Sequence, residues 1–356
     1  MEYNITYRQK NKSLQCIISY KNSAGIWKQV SKQGYKTQKE YKKWIENTTK
    51  ELSETIEYIN PEFTKLTFKE LYKSYMTHIV LYKEQNTLTV YEMARKYFEK
   101  LNDLEVSKIS SIEIQECIDE MVKLKLAPST IKTYTAKIKT ILKYAVTKKI
   151  IKNIPMHDIE FPKERAEVKV KALNKLELDT LLSKITHKKF YLISLIAATC
   201  GLRLGEILGL TWDRIGENTI TVNRQWKVIG KKDDKAVYGF GTVKSKNSNR
   251  VVPVPPSTMN KIKEYKKVID ISNRLFPYKG LCSCTSPMNK LYKTLGYNIS
   301  AHDLRHTYAS MLVANGMDFK SVSELLGDDV NTVIKIYSHF TDDMMTNATR
   351  LVNSIF

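Results

Sequence analysis

The stretch His302-Asp303-Leu304-Arg305-His306-Thr307-Tyr308-Ala309 sets a histidine and an arginine three positions apart, which on a helix is one face. Such a pair suits phosphate chemistry, because a guanidinium neutralises an oxyanion and an imidazole gives or takes a proton. Alone, a His-x-x-Arg is more often structural, so its meaning depends on its surroundings. Upstream, Thr199-Cys200-Gly201-Leu202-Arg203-Leu204-Gly205-Glu206-Ile207 puts an arginine just after a helix-ending glycine, at the start of another helix. That is a ready anion site, although a local ion pair between Arg203 and Glu206 is the plainer reading. Between these two stretches, Thr242-Val243-Lys244-Ser245-Lys246-Asn247-Ser248-Asn249-Arg250 reads as a hairpin with a basic polar tip, by itself only a solvated turn. Downstream, Leu325-Leu326-Gly327-Asp328-Asp329-Val330 precedes Tyr337-Ser338-His339, and one tyrosine among 21 means nothing in isolation.

Composition narrows the field. At 356 residues the chain exceeds one ordinary core, so two or three domains are expected. With 42% hydrophobic residues and only 13 glycines, most of it should be ordered and globular. Lys and Arg number 58 against 37 Asp and Glu, a formal charge of +21. The surplus spans every segment, which favours a polyanionic partner, through counterion release, over a merely soluble basic protein. The first residues carry no signal-peptide core, and the longest apolar stretch, residues 190–200, is too short to span a bilayer. Five cysteines without a secretory signal point to reduced thiols in the cytosol. Cys282 and Cys284 form a lone C-x-C with no second ligand pair, so an ordinary loop is a better reading than a zinc site.

Periodicity divides the chain into three segments. Residues 3–35 read as a small antiparallel sheet: Leu14, Cys16, Ile18 and Tyr20 alternate with Gln15, Ile17 and Ser19, residues 22–25 supply a turn, and Gly34 ends the last strand. Thr37 with Glu40 then opens a helix bearing Tyr41, Trp44 and Ile45. After Asn60-Pro61 come four helices. Thr67 with Glu70 caps one carrying Phe68, Leu71, Tyr72, Tyr75 and Ile79. Thr89 with Glu92 caps the next, with Met93, Tyr97 and Leu101. Ser110 with Glu113 caps a third, with Ile114, Cys117, Ile118 and Met121. Ala127-Pro128-Ser129 opens a fourth, with Ile131, Tyr134, Ile138, Ile141 and Ala145. Its lysines, among them Lys132, Lys137, Lys139 and Lys143, favour contact with a DNA backbone over a merely solvated face. Residues 154–171 read as an extended linker. The remainder mixes helices with short strands near residues 219–222, 238–243 and 250–254.

In this order, the four chemistry-bearing pieces resemble the tyrosine recombinases, the superfamily of phage and conjugative-transposon integrases, from about residue 173 onward. The resemblance implies a multidomain fold. Residues 1–60 would be an α+β arm-type DNA-binding domain, a three-stranded sheet plus a helix. Residues 65–160 would be an all-α, four-helix core-binding domain, and residues 173–356 a mainly α catalytic domain with a small antiparallel sheet. Arg203 and Arg305 match the arginines that clamp the scissile phosphate, and Glu206 an acidic supporting position. Lys244 matches the hairpin lysine, with Lys246 near enough to exchange with it. His302 matches the first histidine and Tyr337 the nucleophile. The chain departs at Asp328, where the family usually has His or Trp. Either the carboxylate is tolerated, or another group such as His339 compensates. As a residue, Asp328 reads better as a helix cap, with Asp329 and Asn331 as rivals.

The activity so implied is cleavage and rejoining of DNA through a 3′-phosphotyrosine, with no metal or nucleotide cofactor. The partners are double-stranded DNA at core and arm sites, three further copies in a homo-tetramer, an excisionase and a host DNA-bending protein, in a bacterial cytoplasm and away from membranes. The tail, residues 341–356, reads as a helix with Met344, Ala348, Leu351 and Ile355 in a stripe that docks on a neighbouring subunit. A type IB topoisomerase-like enzyme would share the chemistry, though two extra DNA-binding segments argue against it. A non-catalytic DNA-binding regulator would share the fold, and Asp328 keeps that reading open.

Overall fold

The computed structural model describes residues 2–10, 13–21, 27–58, 63, 65–163, 171–233, 235–243, 248–266, 273–337 and 352–353. Lys244, Lys246, His339 and nearly all of the expected tail helix lie outside these residues. The chain divides into two compact units, residues 1–166 and 167–356. Among the described residues no helix is long and apolar enough to cross a membrane.

The first unit begins with three antiparallel strands in sequence order, β1 (Tyr3–Lys10), β2 (Ser13–Lys21) and β3 (Trp27–Tyr35). Cys16 and Ile18 are buried as their alternation predicts, but so is Ile17, because the central strand is shielded on both faces at its midpoint. Gly34 lies inside β3 rather than ending it. It is the extra residue of a bulge, since Tyr35 pairs with Leu14 and Gln33 with Gln15, and its φ of +128° is open to glycine alone. The Thr37 hydroxyl donates to Glu40 at 2.7 Å before a 3-10 turn leads into α1 (Lys42–Tyr58). Tyr41 is fully buried, with its hydroxyl donating to the Leu14 carbonyl and the rings of Tyr7, Tyr35 and Trp44 set edgewise around it.

Four helices follow: α2 (Phe68–Ile79), α3 (Gln85–Tyr97), α4 (Ser111–Lys123) and α5 (Pro128–Thr147). Capping boxes at Thr67/Glu70 and Ser110/Glu113 start α2 and α4, and Pro128 starts α5, where its missing N–H costs no hydrogen bond. Their stripes meet in one core that includes Phe68, Leu71, Ile114, Met121, Ile138 and Ile141. Each such side chain contributes about 1.5–3 kcal/mol on burial. The start of α3 corrects the sequence reading. Thr89 sits inside the helix with its hydroxyl on the Gln85 carbonyl, so the buried face is Leu88, Tyr91 and Ala94, and Met93 faces out. The stretch read as the start of a linker is also partly anchored. Ile154, Met156 and Ile159 pack on the helical core, and Gln115 and Glu160 exchange hydrogen bonds.

The second unit contains α6 (Lys175–Lys184), α7 (Lys188–Cys200), α8 (Leu204–Leu208), β4 (Thr219–Val222), β5 (Arg224–Lys232), β6 (Lys235–Thr242), β7 (Arg250–Pro253), α9 (Pro256–Lys266), α10 (Leu281–Thr294), α11 (Ala301–Ala314), α12 (Phe319–Leu326) and α13 (Val330–Tyr337). The apolar α7 is buried nearly all round and lies in the main core with residues of α9, α10 and α11. The strands form two separate antiparallel ribbons, β4 with β7 and β5 with β6. β6 and β7 therefore pair in different ribbons and not with each other, the tip of the expected hairpin at residues 244–247 lies outside the described residues, and β5 is a strand the periodicity did not reveal. Cys282 and Cys284 lie in α10 and not in a loop, because Cys284, Met288 and Tyr292 repeat every four residues and bury one helical stripe. A second, smaller cluster of Tyr308, Ala309, Val313, Val322, Leu326, Val333 and Tyr337 joins α11, α12 and α13.

Candidate active site

A left-handed glycine makes the first half of the site. Gly201 closes α7 at φ +64°, and a Cβ there would stand 2.4 Å from the Tyr308 ring. The turn it permits places Arg203 at the head of the short α8. Glu206, 2% exposed, accepts from the Arg203 backbone at 2.9 Å, from Arg203 Nη1 at 2.8 Å and from both terminal nitrogens of Arg250 at 3.2 and 2.9 Å. The local Arg203–Glu206 pair is thus real, and Arg250 completes it. Burial would raise the Glu206 pKa, but the hydrogen bonds and charge of Arg250, with Arg203 behind it, hold it below the ordinary carboxylate value. Arg250 also donates from Nε to the Leu325 carbonyl at 2.7 Å, tying β7 to the end of α12.

Arg305 supplies the second half. It projects from α11, whose start is fixed by Ser300 and Asp303, and is 2% exposed. Its Nη1 donates to the Gly201 carbonyl at 2.7 Å and its Nη2 to the Leu326 carbonyl at 2.9 Å. Asp328 bridges the two arginines, with Oδ1 on Arg203 Nη2 and Oδ2 on Arg305 Nη2 at 2.5 Å. Burial works to raise the Asp328 pKa, but the charges of Arg305 and Arg203 bring it below the ordinary value, so the bridge is carboxylate on guanidinium. Asp328 is therefore not the helix cap: Asp329 Oδ1 takes the Asn331 N–H at 2.9 Å and caps α13, leaving the preceding carboxylate for the arginines.

Tyr337, at the end of α13, is 2% exposed. Its hydroxyl lies 2.6 Å from Nδ1 of His306, and burial raises the phenol pKa despite the positive charge of Arg305. The histidine that the sequence pairs with Arg305, His302, sits one turn earlier than His306 on α11, with its ring 4.6 Å from that of His306 at 78°. The protein packed about His302, and then Arg305, hold its pKa below the ordinary 6.5, and the same burial followed by His302 depresses His306 to about 4. His306 and Arg250 are the residues that the sequence analysis quoted without assigning a role. A signal for His306 existed in its i, i+4 spacing from His302. None existed for Arg250, whose partner Glu206 is 44 positions away.

Arg203, Glu206, His302, Arg305, Asp328 and Tyr337 thus come together, and Lys244 falls outside the described residues. On α5, Lys132, Lys139 and Lys143 are exposed along one line of the helix, spaced seven and four apart. Lys137 is turned away from that line, its Nζ 5.0 Å above the Tyr91 ring, and does not share their face. Among the described residues no group of three or more His, Cys, Asp or Glu is placed to share a metal ion.

Comparison with known proteins bears on both units. Residues 170–344 match the Phage integrase family, and residues 67–163 match the Phage integrase SAM-like domain. A tyrosine recombinase XerC-like protein of Caldanaerobacter subterraneus subsp. tengcongensis is 26% identical over 344 residues, spanning 84% of this chain and 85% of that one. The Tn1549 transposon integrase, solved in complex with a circular intermediate DNA, superposes with a TM-score of 0.69 at 19% identity, over 80% of this chain and 99% of the other. A lambda integrase dimer bound to a core site gives 0.59 at 14% identity, over 96% and 95%.

Proposed function

This chain belongs to the tyrosine recombinase superfamily of phage-type integrases, and from that premise we propose how its residues cut and rejoin DNA. The observation that carries the reading is a buried tyrosine hydroxyl within the field of Arg305, whose guanidinium already shares one anion, the Asp328 carboxylate, with that of Arg203. The Tyr337 oxygen attacks the scissile phosphorus and expels the 5′ oxygen, leaving a 3′-phosphotyrosine that stores the energy of the broken bond. A 5′-hydroxyl from another strand reverses the step, and phenolate, with an ordinary pKa of about 10, is a competent leaving group on that return. Arg203 and Arg305 take the non-bridging oxygens where Asp328 now sits, and Glu206 with Arg250 fixes Arg203 in place. Lys244 protonates the departing 5′ oxygen.

In this reading residues 65–160 grip the core site, with Lys132, Lys139 and Lys143 on its phosphates, and residues 1–60 bind a separate arm site. Four copies assemble on two duplexes, aided by an excisionase and a DNA-bending protein, to insert or remove a mobile element. The test is a nicked suicide substrate carrying the element's own end. The wild-type chain yields a covalent adduct that maps to Tyr337 and exchanges strands between two duplexes. Tyr337→Phe binds the same DNA and yields no adduct. Relaxation of supercoils without exchange would favour a topoisomerase.

A further inference from the structure

We propose that His306, the residue after the second clamp arginine, is the catalytic group that accepts the proton of the Tyr337 nucleophile. The proposal rests on the recombinase reading and adds a role to the same site. Three observations carry it. The His306 Nδ1 is 2.6 Å from the phenol oxygen, within reach for a single proton transfer. His302, the other histidine of the helix, presents its ring to His306 instead. Arg305 and His306 are adjacent on α11, so one turn of helix holds both the group that binds the phosphate and the group that faces its attacker.

The charged and titratable groups acting on His306 are His302, Asp303 and Arg305 of its own helix, Asp328 from the loop before α13, and Tyr337 from α13. Burial and the neighbouring His302 keep the imidazole neutral at ordinary pH, so with the proton on Nε2 a lone pair on Nδ1 points at the phenol. In the forward step the tyrosine oxygen–phosphorus bond forms and the phosphorus–O5′ bond breaks. The phenol proton passes to Nδ1, giving an imidazolium, and the departing O5′ takes its proton from Lys244. The arriving diester carries negative charge, which stabilises the imidazolium at the moment it forms. Religation runs the transfers backwards: the imidazolium returns its proton to the phenolate as it leaves phosphorus.

The test compares wild type, His306→Asn and His306→Gln, each as the full chain, for folding, DNA binding and single-turnover adduct formation. An asparagine carbonyl can still receive the tyrosine hydrogen bond but cannot hold its proton. The expected result is a loss of about 100-fold or more in cleavage by His306→Asn with binding and melting temperature near wild type. Replacing Tyr337 by a fluorinated tyrosine of lower phenol pKa should recover most of that loss. A substrate with sulfur in place of the bridging O5′, whose departure needs no proton, should not recover it. A His306→Asn rate near wild type overturns the proposal, as does a loss that the fluorinated tyrosine leaves untouched. Absence of any adduct in the wild-type chain overturns it together with the recombinase reading.

Discussion

Arg305 and Gly201 are 104 residues apart in the chain, and the Nη1 of the arginine donates to the carbonyl of the glycine at 2.7 Å. The end of α7 thereby holds the second arginine of the proposed phosphate clamp, although the glycine has no side chain to offer. Gly201→Ala would strain a left-handed backbone and drive a methyl group into the Tyr308 ring. We expect a loss of at least about 1 kcal/mol in stability, seen in a denaturant titration. Suicide-substrate cleavage should fall while DNA affinity stays unchanged.

Arg203→Lys and Arg305→Lys should each slow cleavage by about 100-fold or more, because a point-charge ammonium cannot span two oxygens as a planar fork does. Arg305→Lys should also lower the melting temperature, since the lost fork holds two main-chain carbonyls. Near-normal single-turnover rates in both variants would remove these residues from the clamp.

Glu206→Gln leaves the buried Arg250 without its carboxylate and should cost about 3 kcal/mol. The pH dependence has a definite sign. The folded pKa of Glu206 is below its ordinary 4.5, so its contribution is complete above that pH and drains away as the pH falls through the folded value. Melting curves of wild type and Glu206→Gln should therefore draw together only once the pH falls below 4.5 and through the folded value. A constant gap down to strong acid would contradict an ionised Glu206.

Much of this was legible because its causes are local. The capping boxes at Thr67 and Ser110 and the stripes of α2, α4 and α5 are fixed by residues three or four apart, and the same holds for Gly201 before Arg203. Thr89 misled because a threonine followed by Glu92 has the spacing of a cap, yet Gln85 and Leu88 already continue the helix upstream. Asp328 could not be read alone: whether an Asp caps a helix or bridges arginines depends on Arg203, 125 residues away. The pairing of β4 with β7 across an intervening ribbon is equally invisible to periodicity, which reports faces but not partners.

Asp328→Ala should leave two guanidinium groups facing each other without their shared carboxylate. We expect a loss of about 1–3 kcal/mol, partly restored by added phosphate or sulfate that fills the gap. Wild type should gain less from the same salts. Equal gains, measured by thermal melting, would show that the carboxylate does not occupy the anion position.

Deleting residues 1–60 should spare cleavage of a core site and abolish recombination that needs a distant arm site, since a tethered second binding unit works by raising effective concentration. The plot of log affinity against log salt should also become shallower, with fewer phosphates neutralised. Full recombination by the shortened chain would refute the arm-binding role.

The helix that carries Tyr337, the proposed nucleophile, is held by the small cluster of Tyr308, Val313, Val322, Leu326 and Val333, apart from the main core around α7. Cooperative opening follows such boundaries, and a region with its own small set of contacts opens at a lower free energy than the whole domain. On that basis α13 would swing out while Arg203, Glu206 and Arg250 stay in register. A strand joined to Tyr337 would travel with it on a short leash, so handing the DNA end to a new partner requires only this corner of the protein to come loose.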